Sequence, residues 1–101
     1  KTAGGITRIT LNSPPVSNWF DNPAYFEDTL SYSKGDIIAL LTDGVTECRN
    51  QSGEMFGGER AIKTLSVSRT ADEFIKNLQR NLKEFCGGKF NDDITAIAFD
   101  L

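Results

Sequence analysis

The sequence predicts an α+β fold, with two helices packed on one face of a mainly antiparallel sheet. Apolar patterns with strand spacing come first, two patterns with helical spacing follow, and an apolar run closes the chain. This order is typical of domains whose helices cover one face of an antiparallel sheet. At 101 residues, 39% of them hydrophobic, the chain has room for one core, so residues 1–101 are expected to form a single domain.

The first third is predicted to hold two strands joined by a long loop. Residues Ile6–Leu11 and Phe26–Tyr32 alternate between apolar and polar side chains, as half-exposed strands do. The segment Asn12–Ala24 between them contains all three prolines and is expected to cross the surface. Its aromatic residues, Trp19 and Phe20, are expected to pin this loop onto the domain.

Two further strands are predicted to be covered on both faces. Ile37–Leu41 is an unbroken apolar run, which is typical of an interior strand. The turn sequence "SKGD" before it predicts a hairpin with the preceding strand. At the end of the chain, "DITAIAFDL" is apolar at alternate positions on both faces and is expected to form another interior strand.

Two helices are predicted between these strands. Residues Glu59–Val67 have the apolar spacing of a short amphipathic helix. A longer helix begins with a capping box formed by Thr70 and Glu73, and the pair Gly87-Gly88 ends it. Its apolar stripe consists of Phe74, Ile75, Leu78, Leu82 and Phe85.

Composition excludes several kinds of function. The net charge is −3, which gives no electrostatic basis for binding nucleic acid or an anionic membrane. The chain contains no histidine, so His-based catalytic triads and Cys/His zinc sites are excluded within it. An acidic chain can still bind metal ions, because carboxylates are preferred by hard divalent cations.

The two cysteines and the chain ends point to a cytoplasmic protein. Cys48 and Cys86 fit no CxxC spacing, and no segment resembles a signal peptide or a membrane span. Reduced thiols are therefore expected, and a disulfide between the two is the alternative. Cys48 has only Arg49 as a nearby cation and no histidine, which argues against a nucleophilic role. The chain starts "KTAGGITRIT" without an initiator Met, and it is expected to be part of a longer protein.

Two carboxylates are predicted at one edge of the sheet. Asp43 follows the strand Ile37–Leu41, and Asp92 precedes the last strand. If these strands are antiparallel neighbours, both side chains lie at the same edge. Close carboxylates repel each other unless a pKa rises or a cation binds between them. Asp93 adds a third carboxylate, although strand alternation directs it to the other face.

Simpler interpretations of these residues stay open at this point. Asp-Gly is a common turn pair, and an aspartate before a strand often caps a loop, so each motif alone favours a turn. An EF-hand calcium loop is excluded, although Glu54 stands at the twelfth position from Asp43. The third, fifth and sixth positions are Val45, Glu47 and Cys48, so the third lacks a side-chain oxygen and the central glycine is missing.

Taken together, the motifs resemble a known enzyme family. The ordered set "GDIIALLTDGVTECRNQSGEMFGGERAIKTL" and "GGKFNDDITAIAFDL" is similar to the C-terminal part of PPM metal-dependent serine/threonine phosphatases, in particular the bacterial SpoIIE-like group. The resemblance covers residues 26–101 well and residues 1–25 weakly. It implies part of the PPM-type α-β-β-α sandwich.

The resemblance also implies a site and a mechanism. Asp43 and Asp92 would be ligands of a two-metal centre that holds Mn²⁺ or Mg²⁺. Gly44 and Asp93 would lie around these ligands: Gly44 lets the backbone approach the metal edge, and Asp93 stands where many relatives have asparagine. In the family, a metal-bridging water attacks phosphorus in line with the leaving serine oxygen.

The function implied is hydrolysis of phosphoserine on a signalling protein, such as a STAS-type anti-anti-sigma regulator. An N-terminal sensor domain is expected in the parent protein. The family's upstream Asp-Gly metal motif has no counterpart before Phe26, so this chain is expected to be inactive alone. The alternatives are a pseudophosphatase or interaction module without catalysis, and an unrelated α+β binding domain. Retention of both Asp43 and Asp92 favours the enzyme.

Overall fold

The structure is a computed structural model that describes residues 1–10, 25, 27–90 and 93–101. Its elements follow the order strand, short helix, two longer helices, strand: β1 (Ile37–Leu41), α1 (Asp43–Thr46), α2 (Gly57–Val67), α3 (Ala71–Cys86) and β2 (Ala96–Asp100). The predicted α+β class is confirmed, as are both longer helices and the last strand. None of the helices in these ranges is long and apolar enough to cross a membrane.

The two strands form one antiparallel pair. Ile37 lies opposite Asp100, and Leu41 lies opposite Ala96. The pairing brings the carboxyl end of β1 to the amino end of β2. This is the geometry that the prediction of a shared edge requires.

The inner face of this sheet packs against α3. Three residues of its apolar stripe, Phe74, Leu78 and Leu82, are at most 3% exposed, and Ile37 of β1 is equally buried. The other two residues of the stripe are partly buried at the margin of the same core. Helix α2 extends the core through Ala61, Leu65 and neighbouring side chains. Periodicity therefore predicted the buried face of α3 correctly.

The outer face of the sheet is open, which makes the prediction of two fully covered strands wrong. Leu40 is 56% exposed, and Ile38, Ile97 and Phe99 are between 43% and 49% exposed. The register places Ile38 beside Phe99 and Leu40 beside Ile97, so the four side chains form one apolar surface. The described residues supply helices for only one face, and the apolar pattern of a strand cannot say which segment covers the other.

The two strands predicted near the N-terminus are also wrong where the structure describes them. Residues 6–10 and 27–32 contain no strand, and only an isolated bridge joins Thr2 to Gly5. The amide of Ile37 instead donates to the carbonyl of Lys1 at 2.9 Å. A strand needs a neighbouring strand for its backbone hydrogen bonds. Alternation of apolar and polar side chains does not show that such a neighbour exists, so it was not sufficient to predict these strands. Leu11, Phe26 and the loop Asn12–Ala24 with its two aromatic residues lie outside the described residues.

The "SKGD" turn forms, but it does not make the predicted hairpin within the described residues. The Asp36 carboxylate accepts a hydrogen bond from the amide of Ser33 at 2.8 Å. Two residues on, the amide of Gly35 donates to the carbonyl of Leu101 at 2.8 Å. The turn therefore leads the chain into β1 alongside the end of β2.

Helix α3 is fixed at both ends. One half of the predicted capping box is present, because the Thr70 hydroxyl accepts from the amide of Glu73 at 3.1 Å. The Glu73 carboxylate accepts from the amide of Arg69 at 3.1 Å, one residue before the amide that a capping box uses. The first helical amide, that of Ala71, donates to the Asp100 carboxylate at 2.8 Å, which ties the helix to β2. Gly87 takes the left-handed conformation at the other end, with φ of 64°.

The two cysteines are joined, so the expectation of reduced thiols is wrong. Cys48 and Cys86 form a disulfide with Cα atoms 6.3 Å apart, a separation that such a bond allows. Both residues lie in the core, and the bond connects the end of α3 to the segment after α1. Sequence spacing could not show this contact, because 38 positions separate the two residues.

Candidate functional site

Asp43 lies where β1 turns into α1. Thr42 is still extended, with φ of −84° and ψ of 163°, and Asp43 is the first helical residue. Its side chain is exposed. Within the described residues, the hydrogen bonds of this turn involve the Asp43 carbonyl, which accepts from the Glu47 amide at 2.8 Å, and not its carboxylate. The side chain therefore stands at the sheet edge without the capping bond that the turn interpretation needs.

Gly44 packs directly against the backbone of Asp93. A Cβ atom on Gly44 would lie 2.9 Å from the Asp93 carbonyl carbon, closer still to its oxygen, and 3.4 Å from the Cα atom of Ile94. Atoms do not approach a real Cβ so closely, so a side chain at this position would force the two segments apart. The missing side chain is what allows the "TDG" and "DDIT" segments to touch.

A pair of threonines holds the same contact from the strand side. The Thr42 amide donates to the Thr95 carbonyl at 3.0 Å, and the Thr95 amide donates to the Thr42 hydroxyl at 3.0 Å. The Thr42 hydroxyl also lies 3.2 Å from the Thr95 carbonyl oxygen. These bonds extend the β1–β2 pairing by one residue beyond each strand. Sequence reasoning missed both threonines, although each belongs to one of the two acidic motifs.

Of the other two predicted aspartates, only Asp93 lies among the described residues. Asp93 is exposed, and its backbone makes the contact with Gly44. Asp92 lies outside the described residues, and it precedes Asp93 by one peptide bond. The structure thus brings Gly44 and Asp93 together at one edge with Asp43. The pairing of Asp43 with Asp92 as metal ligands remains a prediction.

The donor chemistry of this edge fits a hard cation, but the described donors are few. Aspartate and carbonyl oxygens suit Mg²⁺ and Mn²⁺, and the chain has no histidine to favour softer ions. The described residues contain no group of three or more acidic, Cys or His side chains that could enclose an ion. A complete metal centre therefore needs donors beyond those the structure describes.

The loop after α1, which carries the N-x-x-G-E-x-F-G pattern, is built by its own side chains. The Asn50 side chain accepts from the amides of Ser52 at 3.0 Å and Glu54 at 2.9 Å. Glu54 also pairs with Arg60, whose guanidinium lies 4.6 Å from the centre of the Phe85 ring. These residues shape the loop and attach it to α2 and α3, so their role is structural.

Comparison with known proteins identifies a matching family and curated relatives. The family model described as Stage II sporulation protein E (SpoIIE) matches residues 7–101. Protein IcfG of Synechocystis is 30% identical over 96 residues, which cover 93% of this chain and 15% of that protein. Phosphoserine phosphatase RsbU of Bacillus subtilis is 38% identical over 66 residues, which cover 63% of this chain and 19% of that protein.

No solved structure shows a significant match to the chain. The chain spans less than a fifth of the length of either curated relative. The family match, in contrast, takes in both strands, all three helices and the edge where Gly44 meets Asp93. Because that match covers nearly the whole sequence, the chain belongs to the SpoIIE family.

Proposed function

We propose that the protein containing this chain is a phosphatase that removes phosphate from serine on a protein substrate, using Mn²⁺ or Mg²⁺. Membership of the SpoIIE family and the similarity to a phosphoserine phosphatase of Bacillus subtilis support this proposal. The structural observation that carries it is the exposed Asp43 carboxylate beside the contact between Gly44 and Asp93. A carboxylate fixed on rigid elements and free of capping bonds suits a metal ligand.

Each residue of the edge has a role in this proposal. Asp43 and Asp92 bind the ions, and Asp93 and Gly44 set the spacing between the two segments. Thr42 holds the end of β1 against Thr95, so that the ligands keep their separation. When bound, the ions supply a hydroxide nucleophile at neutral pH and neutralise charge on the phosphoryl oxygens.

The substrate and the setting are finer parts of the proposal. We take the substrate to be a small STAS-type regulator of a signalling pathway in the cytoplasm, and the parent protein to carry an N-terminal sensor domain. The chain alone is expected to be inactive, because two hard ions that each prefer about six oxygen ligands need more donors than Asp43 and Asp92.

Hydrolysis of a phosphoserine peptide in the presence of Mn²⁺ tests the proposal. The parent protein should turn over, and this chain alone should not. In the parent, Asp43→Asn and Asp92→Asn should each lower the rate by about a hundredfold or more, since even outer partners of a metal contribute about 10–100-fold. Asp72→Asn is the matched control, because Asp72 is an exposed carboxylate that pairs with Lys76 on α3.

The outcomes separate the alternatives. Full activity of the parent with Asp43→Asn would remove Asp43 from the site. Turnover by the isolated chain that Asp43→Ala abolishes would contradict the claim that more donors are required. A parent that binds the phosphorylated partner but never hydrolyses it would be a pseudophosphatase.

A further inference from the structure

A cleft of about 400 Å³ runs along β1 to the candidate edge. Thr42, Asp43 and Thr46 line it at the end of β1 and in α1, and Gly58 lines it in the first turn of α2. Arg8, from the N-terminal segment of the chain, lines the same cleft. The cleft therefore places an arginine and the predicted metal ligand Asp43 on one concave surface.

The guanidinium of Arg8 lies over the backbone of Gly58. Its Nη1 atom is 3.0 Å, and its Cζ atom 3.6 Å, from the position that a Cβ atom on Gly58 would take. A side chain at Gly58 would therefore press on the guanidinium. The absence of one lets the guanidinium approach the start of α2 closely.

The structure gives this guanidinium no partner among the described residues. Ion pairs there join only Arg60 to Glu54 and Lys76 to Asp72, and no hydrogen bond from Arg8 is present within those residues. Arg8 also lies at the positive end of the α2 dipole, where a cation does not stabilise the helix. Its position thus has no evident structural reason.

The other cation on the cleft is already engaged. The ammonium group of Lys1 donates to the carbonyl oxygens of Ser66, at 2.9 Å, and Ser68. Both carbonyls lie at the far end of α2 from Gly58. Among the described residues that line this cleft, Arg8 is therefore the cation whose N–H donors have no partner there.

We propose that Arg8 binds the phosphoryl group of the substrate in this cleft, which Asp43 also lines. A guanidinium presents a planar set of N–H donors that matches two oxygens of a phosphoryl group, and such charge-assisted bonds are among the strongest polar contacts. The identity of the ligand as phosphoserine rests on the proposed phosphatase function. The binding of a phosphoryl anion by Arg8 rests only on the cleft and on a guanidinium that the described part of the chain leaves unpaired.

Titration of the ¹⁵N-labelled 101-residue chain with inorganic phosphate, at constant ionic strength set with chloride and without added metal, tests this site. Phosphate should shift the amide resonances of Thr46 and Gly58. Arg8→Gln should weaken the apparent affinity about tenfold or more, as expected for losing hydrogen bonds to a charged group. The phosphate affinity of Arg8→Lys should fall between those of the unchanged chain and Arg8→Gln, because lysine keeps the charge and loses the planar set of N–H donors.

Arg69→Gln is the matched control, since it removes an exposed arginine that does not line the cleft. It should leave the phosphate affinity unchanged. Equal weakening by Arg8→Gln and Arg69→Gln would show that only net charge matters and would overturn the proposal, as would the absence of any shift at Thr46 and Gly58.

A further variant separates this proposal from the proposed function. Asp43→Asn removes a negative charge from the cleft, so phosphate should bind at least as tightly as to the unchanged chain. Phosphate binding that depends on Arg8, combined with a parent enzyme that keeps full activity after Asp43→Asn, would refute the metal site and leave the anion site standing. Phosphate binding that does not depend on Arg8, combined with a parent enzyme that loses activity after Asp43→Asn, would refute the anion site and leave the metal site standing.

Discussion

The side chain that Gly44 lacks would occupy the place of the Asp93 backbone carbonyl. This contact joins the turn after β1 to the segment that leads into β2. Backbone torsion does not require a glycine after Asp43, since Gly44 is not among the glycines with positive φ. The glycine is required by close packing.

Replacing Gly44 with alanine should therefore lower the free energy of unfolding by about 1–3 kcal/mol, the usual cost of overpacking a tight contact. Chemical denaturation of the two proteins measures the difference. Gly4→Ala is the control, because a Cβ there would meet only the Thr2 hydroxyl at 3.7 Å, an ordinary contact. Equal stability of Gly44→Ala and the unchanged chain would mean that the two segments do not touch in solution.

The threonine pair gives a second prediction at the same edge. Thr42→Val keeps the shape of the side chain and removes the hydroxyl that accepts from the Thr95 amide. The loss should cost about 1 kcal/mol, the typical net value of one hydrogen bond. It should also speed hydrogen exchange at the Thr95 amide. Thr42→Ser restores the hydroxyl and should restore protection of that amide; a failure to do so would contradict the assigned bond.

Sequence reasoning predicted the elements whose signal is local. The capping box at Thr70 and the glycine at position 87 define the ends of α3, and both ends agree with the structure. Bonds to distant residues left no comparable signal. The carboxylate of Asp100 reaches the amide of Ala71, and nothing in the pattern of β2 indicates that its last residue caps a helix.

The same distinction applies to the strands and to the site. The apolar run of β1 correctly predicted a strand. The further prediction that both faces of this strand are covered failed at Leu40, which is exposed. An apolar pattern does not identify which segment covers a face. At the site, the motifs placed Asp43 at a sheet edge, and the structure confirms that position. The partner of Asp43 depends on the conformation of the segment before β2, which local pattern does not determine.

Asp100 provides a prediction about how β2 and α3 are joined. Asp100→Ala removes the acceptor of the first helical amide and should cost about 0.5–2 kcal/mol, the range for lost helix caps. Denaturant titration measures this loss. Thr70→Ala should cost a similar amount through the neighbouring cap. A stability unchanged by Asp100→Ala, together with a clear loss in Thr70→Ala, would show that the helix is capped without help from the strand.

The disulfide predicts a dependence of stability on reducing agent. The bond closes a loop of 38 positions, for which the chain-entropy relation gives about 4 kcal/mol of stabilisation at 25 °C. Reduction with dithiothreitol should lower the free energy of unfolding by up to that amount. The double variant Cys48→Ser, Cys86→Ser should show no response to the reagent. Mass spectrometry after thiol alkylation of the oxidised protein checks the pairing. Alkylated Cys48 and Cys86 in that protein would contradict it.

Asp43 allows the turn interpretation and the ligand interpretation to be separated by stability alone. If the carboxylate capped the turn, Asp43→Ala would lose about 1 kcal/mol, as other capping aspartates do. In the structure, the carbonyl of Asp43 makes the hydrogen bond to Glu47, and the substitution leaves that bond in place. The expected change in the free energy of unfolding is therefore below about 0.5 kcal/mol, the usual range for exposed positions without such bonds.

Asp100→Ala, which removes a carboxylate that does cap a helix, is the reference in the same titration. A loss for Asp43→Ala as large as that of the reference would favour the turn, whereas near-neutrality combined with loss of activity in the parent would favour the ligand.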